Sequence, residues 1–202
     1  MEVDLTPLTT FVFQVESQQS RFTEQSLRDS DGLGLQAGFQ FEPLALLSGT
    51  VLIGYRHVTS VRNVVADFNG LTANVNVGYL WRERVRLSSA VHRSLDFSVD
   101  TTQPFYVSTG GTLTLTQALF RRWDVQARLG REFLAYRERL DLLALVSGGR
   151  TDRVVLYGTG VGFRVTDDAR VSFDMNYVRR LSPQADRTYE GFRFGGSLSY
   201  VY

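Results

Sequence analysis

Large apolar residues occupy alternate positions in the last part of the chain. They are Phe192, Phe194, Leu198, Tyr200 and Tyr202, and the positions between them are mostly small or polar. A period of two puts the two sets on opposite faces of a β-strand. The same alternation runs through residues 33–41, 71–81 and 169–177. The chain is therefore predicted to be all-β.

The length of the alternating segments distinguishes a membrane barrel from a soluble sandwich. They run for about 13 to 16 residues, whereas strands of soluble proteins average about 5 to 6. Strands of outer-membrane barrels need about 9 to 11 residues for the apolar band alone. Aromatic residues also gather near both ends of the predicted strands, as interfacial girdles do. The pattern predicts an antiparallel, up-and-down transmembrane β-barrel of about ten strands.

Two kinds of connection alternate along the chain. Tight turns are predicted near residues 42–43, 82–83, 121–122 and 166–168, and longer polar connections near residues 17–31, 60–69, 100–104, 138–152 and 182–187. Outer-membrane barrels have short periplasmic turns and longer extracellular loops. An even number of strands would then place the N and C termini together in the periplasm.

Composition agrees with a single domain spanning residues 1–202. The formal net charge is +1, which gives no reason to expect a nucleic-acid partner. The chain has no cysteine and no apolar run long enough for a transmembrane helix. It shows no metal-ligand spacing or phosphate-binding loop, so no cofactor or metal is expected. Residues 1–4 do not begin a signal peptide, so a barrel would need an export signal from a longer precursor.

All 22 basic residues are arginine. If the parity of the strands is right, the polar positions face the interior of the barrel. The predicted lumen-lining residues are Arg56, Asn74, Asn76, Arg84, Arg86, Gln126, Arg128, Arg164, Arg170, Asp174, Asn176 and Arg193. A barrel of about ten strands has a narrow interior that side chains largely fill. Two interpretations remain open: a narrow path that favours anions, and a polar network that only holds the shape of the barrel.

The chain resembles the bacterial outer-membrane β-barrel proteins, and more narrowly the β-barrel porin family associated with exopolysaccharide export. The resemblance rests on Gly54-Tyr55-Arg56, on residues 130–136, on Asn176-Tyr177 and on the C-terminal alternation. It implies a role in the cell envelope and contact with outer-membrane lipid, including lipopolysaccharide. Members of that narrower family have larger barrels, so an alternative is that these residues form the C-terminal part of one.

The C-terminal residues Phe192, Phe194, Leu198, Tyr200 and Tyr202 resemble the signal read by the barrel assembly machinery. That machinery is therefore an expected partner during folding. A second expected partner is an unidentified envelope component, because the most apolar stretch, Leu140 to Val146, falls in a predicted long loop. Arg93 and Arg131 also interrupt apolar faces, and a bulge or contact with lipid headgroups would accommodate them.

A membrane-embedded hydrolase is the main enzymatic alternative. His92 and Ser94 share one strand face, and Asp96 lies two residues further along it. The pair is slightly similar to the His-x-Ser element of lipid A deacylases, although Leu95 stands where those enzymes have asparagine. The His92 and Asp96 pair gives only a hint of an omptin-like site. The glycines at 158, 160 and 162 are better explained as room for neighbouring arginines than as a nucleotide motif.

The expected function is therefore non-enzymatic. We expect a porin-like outer-membrane barrel with a narrow, arginine-rich lumen, or a barrel associated with polysaccharide export. The alternatives are the hydrolase, a purely structural or adhesive barrel, and a soluble lipocalin-like binder.

Overall fold

The computed structural model describes residues 1–24, 26–42, 46–62, 65–82, 84–100, 102–139, 149–166 and 168–200. Its strands form one antiparallel sheet in which each strand pairs with the next along the chain. The strands are β1 (Glu2–Thr6), β2 (Thr9–Ser20), β3 (Ser30–Phe41), β4 (Leu47–Ser60), β5 (Phe68–Trp81), β6 (Val85–Phe97), β7 (Phe105–Ala118), β8 (Trp123–Arg137), β9 (Thr151–Arg164), β10 (Ala169–Leu181) and β11 (Tyr189–Tyr200). The predicted all-β, up-and-down architecture is confirmed.

Helical structure in the described residues is confined to single 3-10 turns at Ser26–Arg28 and Ala185–Arg187. No helix in this part of the chain is long and apolar enough to cross a membrane.

Alternation of side chains explains both the strands and the two unlike faces of the sheet. Along β5, Leu71 and Tyr79 are exposed on one face, whereas Thr72 is buried on the other. Directly paired residues point to the same face, so the registers extend this division from strand to strand. We call the face that carries most of the large apolar side chains the apolar face, and the opposite one the polar face.

Large side chains of the apolar face are exposed to an unusual degree for a folded chain. Ile53 is 57% exposed, Leu71 62% and Phe194 64%. A sheet that leaves such a continuous apolar surface uncovered needs apolar surroundings. This surface is the expected lipid-contacting wall of a membrane barrel.

Short and long connections alternate as predicted. The chain passes from β5 to β6, from β7 to β8 and from β9 to β10 in a few residues. The connections at the opposite end, such as β8 to β9 and β6 to β7, are longer. We refer to the two ends of the sheet as the short-turn end and the long-loop end. Leu140 to Val146 and Tyr202 lie outside the described residues.

One strand is additional to the predicted set. β1 has five residues and pairs with the first half of β2, Glu2 opposite Val12 and Asp4 opposite Thr10. Its alternation is too short to be recognised without its partner. The described residues therefore form eleven strands rather than an even number, and the placement of the two termini in the periplasm stays a prediction. The amino group of Met1 donates to the carbonyl of Phe13, partway along β2.

The sheet is open in the described residues. β1 pairs only with β2 and β11 only with β10. Every residue of β11 is exposed. Of the predicted assembly signal, Phe192, Phe194, Leu198 and Tyr200 share the apolar face of this strand, and two of them lie against rings of β10 (Phe192 with Tyr177 and Phe194 with Phe173). Their role in assembly stays a prediction.

A small apolar core interrupts the regular alternation at the long-loop end. Val58, Phe68 and Val107 are buried together, with Leu95 and Ala135 packed against them. The pairing of β5 with β6 reaches only as far as Ala73 opposite Arg93. Beyond that point the two strands separate, so side chains that alternation assigns to the polar face can contact side chains assigned to the apolar face. A pattern of period two could not show this separation.

Candidate pore-lining surface

The registers gather the predicted lumen-lining residues on the polar face. Arg86 pairs through Thr116 to Gln126, and Gln126 through Gly160 to Asp174. The residues that lie on this face are Arg56, Asn74, Asn76, Arg86, Gln126, Arg128, Arg164, Arg170, Asp174, Asn176 and Arg193. Arg84 is the exception, because it lies in the turn that precedes β6. Whether this face lines a lumen stays a prediction.

An ion pair crosses the polar face between β8 and β10. The guanidinium of Arg170 donates to both carboxylate oxygens of Asp124, at 2.9 Å from Nε and 2.6 Å from Nη2. The two side chains meet above Gly162 of β9, and a Cβ there would lie 2.6 Å from Asp124 Oδ1. Such bidentate pairs are among the stronger polar contacts in proteins. Gly162 thus leaves room for an arginine, as the sequence pattern predicts.

A second bridge across β9 lies nearer the middle of the sheet. Arg128 donates to Asn176 Oδ1 at 3.3 Å and to Gln126 Oε1 at 3.0 Å. Gly158 lies between these strands, opposite both Arg128 and Asn176. A side chain at this position would collide with the Asn176 amide. Part of the predicted lumen surface is thus engaged in contacts that tie neighbouring strands together.

Other arginines of the polar face are not engaged in this way. Arg86 and Arg164 form no ion pair and donate no side-chain hydrogen bond to any residue that the structure describes, and both are exposed. Arg56 bonds Gln18 and lies 3.8 Å from Glu16. Between β6 and β10, the part of the face near the short turns carries Arg86, Arg128, Arg164 and Arg170 against Asp124 and Asp174. Positive charge therefore prevails there.

A buried arginine–aspartate cluster lies at the long-loop end. Asp152 is fully buried and accepts from Arg150 Nε and Nη2, both at 3.0 Å, and from Arg180 Nε at 3.0 Å. Tyr136 completes it: its hydroxyl accepts from Arg180 at 2.7 Å, and its ring lies 3.9 Å from the Arg150 guanidinium carbon. Two cations therefore bind this carboxylate, and the side chain of Ser182 also hydrogen-bonds to it. Sequence reasoning missed this cluster, because its members come from three different strands and a loop.

The cluster continues into the connections through Asp100. Asp100 Oδ2 lies 3.6 Å from Arg150 and 3.4 Å from Arg187, and Oδ1 accepts from the backbone and hydroxyl of Thr102. Burial by itself would raise the pKa of Asp100. The hydrogen bonds from Thr102 and the charges of Arg187 and Arg150 outweigh burial, so the pKa lies below the ordinary 3.8. Burial by itself would lower the pKa of the Arg150 guanidinium. The hydrogen bonds to Asp152 and the charge of that carboxylate outweigh burial and raise the pKa.

These contacts predict an acid-sensitive link between the long connections. A lowered carboxyl pKa contributes stability that is present above the ordinary value and lost as the pH falls through the folded-state value. We therefore expect the connection at residues 98–104 to resist cleavage by an acid-active protease at about pH 5 and to become cleavable only when the pH falls below 3.8, the ordinary carboxyl pKa. In Asp100→Asn the connection should be cleaved at both pH values. Equal protection of the variant and the parent at about pH 5 would contradict the prediction.

His92 has different partners from those that the sequence suggested. Its Nε2 lies 2.9 Å from Ser108 Oγ and 3.3 Å from Glu132 Oε1, and Ser108 donates to the same Glu132 oxygen at 2.6 Å. Ser94, the predicted partner, donates instead to Asp96. In a nucleophile–base–acid relay the acid bonds Nδ1 while the nucleophile faces Nε2. Here both groups meet the same nitrogen, and Ser108 is buried.

The described residues contain no group of histidines, aspartates and glutamates arranged to hold a metal ion. The arginines and amides of the polar face are groups that can bind anions and hydroxyl groups.

Comparison with known proteins gives one result that covers almost the whole chain. The family described as "putative beta-barrel porin 2" matches residues 1–199. No curated protein matches the chain. The chain therefore belongs to the putative beta-barrel porin 2 family and is a porin-like β-barrel protein of the bacterial outer membrane.

Proposed function

We propose that the protein forms a narrow conduit lined by the polar face and that this conduit favours anions. One observation carries the proposal: near the short turns, between β6 and β10, four arginines face two aspartates. Arg86 and Arg164 are exposed there, and neither forms an ion pair in the described part of the chain, although the charge of Arg164 acts on Asp124. A confined surface of one sign raises the local concentration of the opposite ion.

The engaged residues support a narrow conduit rather than a wide one. The Arg170–Asp124 pair and the Arg128–Asn176 hydrogen bond hold these side chains against the polar face, across β9. At the other end, the Asp152 cluster ties β8, β9 and β10 to their connections. The same face would line the interior whether β1 meets β11 directly or through other strands. The polar network and the path for anions are therefore compatible, since different arginines serve each.

An association with polysaccharide export is the finer part of the proposal. It is supported by the resemblance described above and by one surface of the chain. Tyr106 and Tyr136 lie side by side on the polar face at the long-loop end, with ring centroids 5.2 Å apart. Arg150 covers one face of the Tyr136 ring, so Tyr106, with Asp96 and Glu132 near it, is the part of this surface that could stack on a sugar and bond its hydroxyl groups. We also propose that the protein is not an enzyme, and the shared Nε2 contact of His92 supports this.

Single-channel recording tests the conduit. Refolded protein in a planar bilayer with a salt gradient should give small steps and a reversal potential that shows preference for chloride. Changing Arg86 and Arg164 to glutamate should abolish or invert that preference, because it replaces two cations of the polar face by anions. The matched control changes Arg62 and Arg121 to glutamate, since both are exposed and lie in connections outside the strands. A cation-selective parent protein, or equal changes in both variants, would contradict the proposal.

A further inference from the structure

Several arginines lie on the apolar face near the long-loop end, and three of them, Arg93, Arg131 and Arg153, form a group without an ion pair to a described residue. The registers place Arg93, Thr109, Phe133 and Arg153 in one row across β6, β7, β8 and β9. Arg131 lies in the next row towards the short turns, opposite Gly111 and Val155. Arg93 and Arg131 interrupt the apolar alternation of the sequence. The structure adds Arg153 and shows that the three are neighbours.

Two of these cations share one aromatic ring. The guanidinium carbons of Arg131 and Arg153 lie 4.8 Å and 5.6 Å from the centroid of Phe133. Stacking on a ring holds a guanidinium in place but leaves its outer N–H groups free to donate. Both arginines are exposed, and neither donates a side-chain hydrogen bond to a described residue.

The third cation is fixed by the protein itself. Arg93 donates to Thr109 Oγ1 at 2.7 Å and to the carbonyl of Leu71 at 3.2 Å. That carbonyl lies just beyond the last pairing of β5 with β6, so the arginine fills the place of a missing strand contact. Its position depends on the sheet rather than on a carboxylate.

None of the three forms an ion pair with a described residue. This distinguishes them from Arg179 on the same face, which lies 3.5 Å from Glu190. Like charges placed close together repel, and the repulsion grows where water is scarce. On a surface that meets lipid, uncompensated arginines are costly unless an anion of the surroundings approaches them.

An apolar depression lies directly beside this group. It has a volume of about 370 Å³ and forms around Gly111, where the apolar face lacks a side chain. Val91, Leu113, Leu129 and Tyr157 surround it, and Arg131 lines it as well. A fatty acyl chain suits the depression, and an anionic headgroup suits the arginines at its edge.

We propose that Arg93, Arg131 and Arg153 bind the phosphate groups of lipopolysaccharide in the outer leaflet, with an acyl chain in the depression around Gly111. Phosphate oxygens match the fork of a guanidinium, and these contacts are charge-assisted. The apolar face of a porin-family barrel meets lipid, which makes the lipid headgroup the anion at hand. It follows that the long-loop end of the sheet points to the outside of the cell.

Thermal unfolding in detergent micelles tests the site. Lipid A with both phosphates should raise the unfolding midpoint of the parent protein, and dephosphorylated lipid A should raise it much less. Changing Arg131 and Arg153 to glutamine should weaken the effect of lipid A at least about tenfold in concentration, because charge-assisted hydrogen bonds are lost. The matched control changes Arg121 and Arg122 to glutamine, since this removes the same charge at the short-turn end of the sheet, in the turn between β7 and β8.

The outcomes separate this site from general charge effects. Equal response of the double variant and the parent overturns the proposal, and so does an equal loss in the control variant. Stabilisation of the parent by inorganic phosphate alone, to the same extent as by lipid A, would show an anion site without a lipid and overturn the assignment. Should the double variant not refold, Arg153→Gln alone is measured against Arg122→Gln. The readout does not depend on conductance, so it stands apart from the proposed conduit.

Discussion

Replacing Asp152 by alanine is expected to lower the free energy of unfolding by about 3–5 kcal/mol, the cost of breaking a buried ion pair by removing one partner. Asp152 has no exposed surface, and its two oxygens receive the donors of Arg150 and Arg180. Without the carboxylate, two guanidinium groups remain close together, and that of Arg150 is almost completely buried. Repulsion between them then opposes the docking of the loop that carries Arg150.

Denaturant unfolding of the refolded protein in micelles measures this effect. Asp152→Asn should destabilise nearly as much as alanine, because it keeps the shape of the side chain but not its charge. Asp186→Ala is the control: its side chain is 78% exposed and its contact with Arg187 is on the surface. Such surface pairs contribute about 0–1 kcal/mol. If Asp152→Ala unfolds within about 0.5 kcal/mol of the parent, the cluster is not a stabilising element.

The long strands and the two faces of the sheet could be predicted from the sequence because they follow from local alternation. Every strand from β2 to β11 has 12 to 15 residues, and each presents one apolar and one polar set. The same alternation put all but one of the proposed lumen residues on one face. The prediction for Arg84 was wrong because the alternation of β6 was extended one residue beyond the strand, into the turn before it.

What the sequence could not show depends on contacts between distant residues. The burial of Asp152 is set by Arg180 and Tyr136, which lie 28 and 16 positions away in the chain. His92 meets Ser108 rather than Ser94 because neighbouring strands bring them together, whereas spacing along one strand suggested the nearer serine. Likewise, Phe68 lies at a polar-face position and contacts Val107 of the apolar face only because β5 and β6 separate.

Glycine positions on the polar face lead to the second prediction with a large effect. Changing Gly54 to valine is expected to cost about 3 kcal/mol or more, at the upper end of the range for overpacking, because the nearest atom belongs to the backbone. A Cβ on Gly54 would collide with the carbonyl oxygen of Leu35 and lie 2.9 Å from the Cα of Gln36. Backbone atoms of a paired strand cannot rotate away as a side chain can. The strands β3 and β4 must therefore shift apart at this register.

Gel migration after refolding measures the result. A closed barrel runs faster before boiling than after it, and we expect the fast band of Gly54→Val to be lost or strongly reduced. Gly195→Val on β11 is the matched control, because nothing lies within 4 Å of a Cβ built there and valine favours strands. The control should refold like the parent. A full fast band for Gly54→Val would mean that β3 and β4 are not held as closely as their register implies, and loss of the band in both variants would point to the bulk of valine rather than the backbone contact at Gly54.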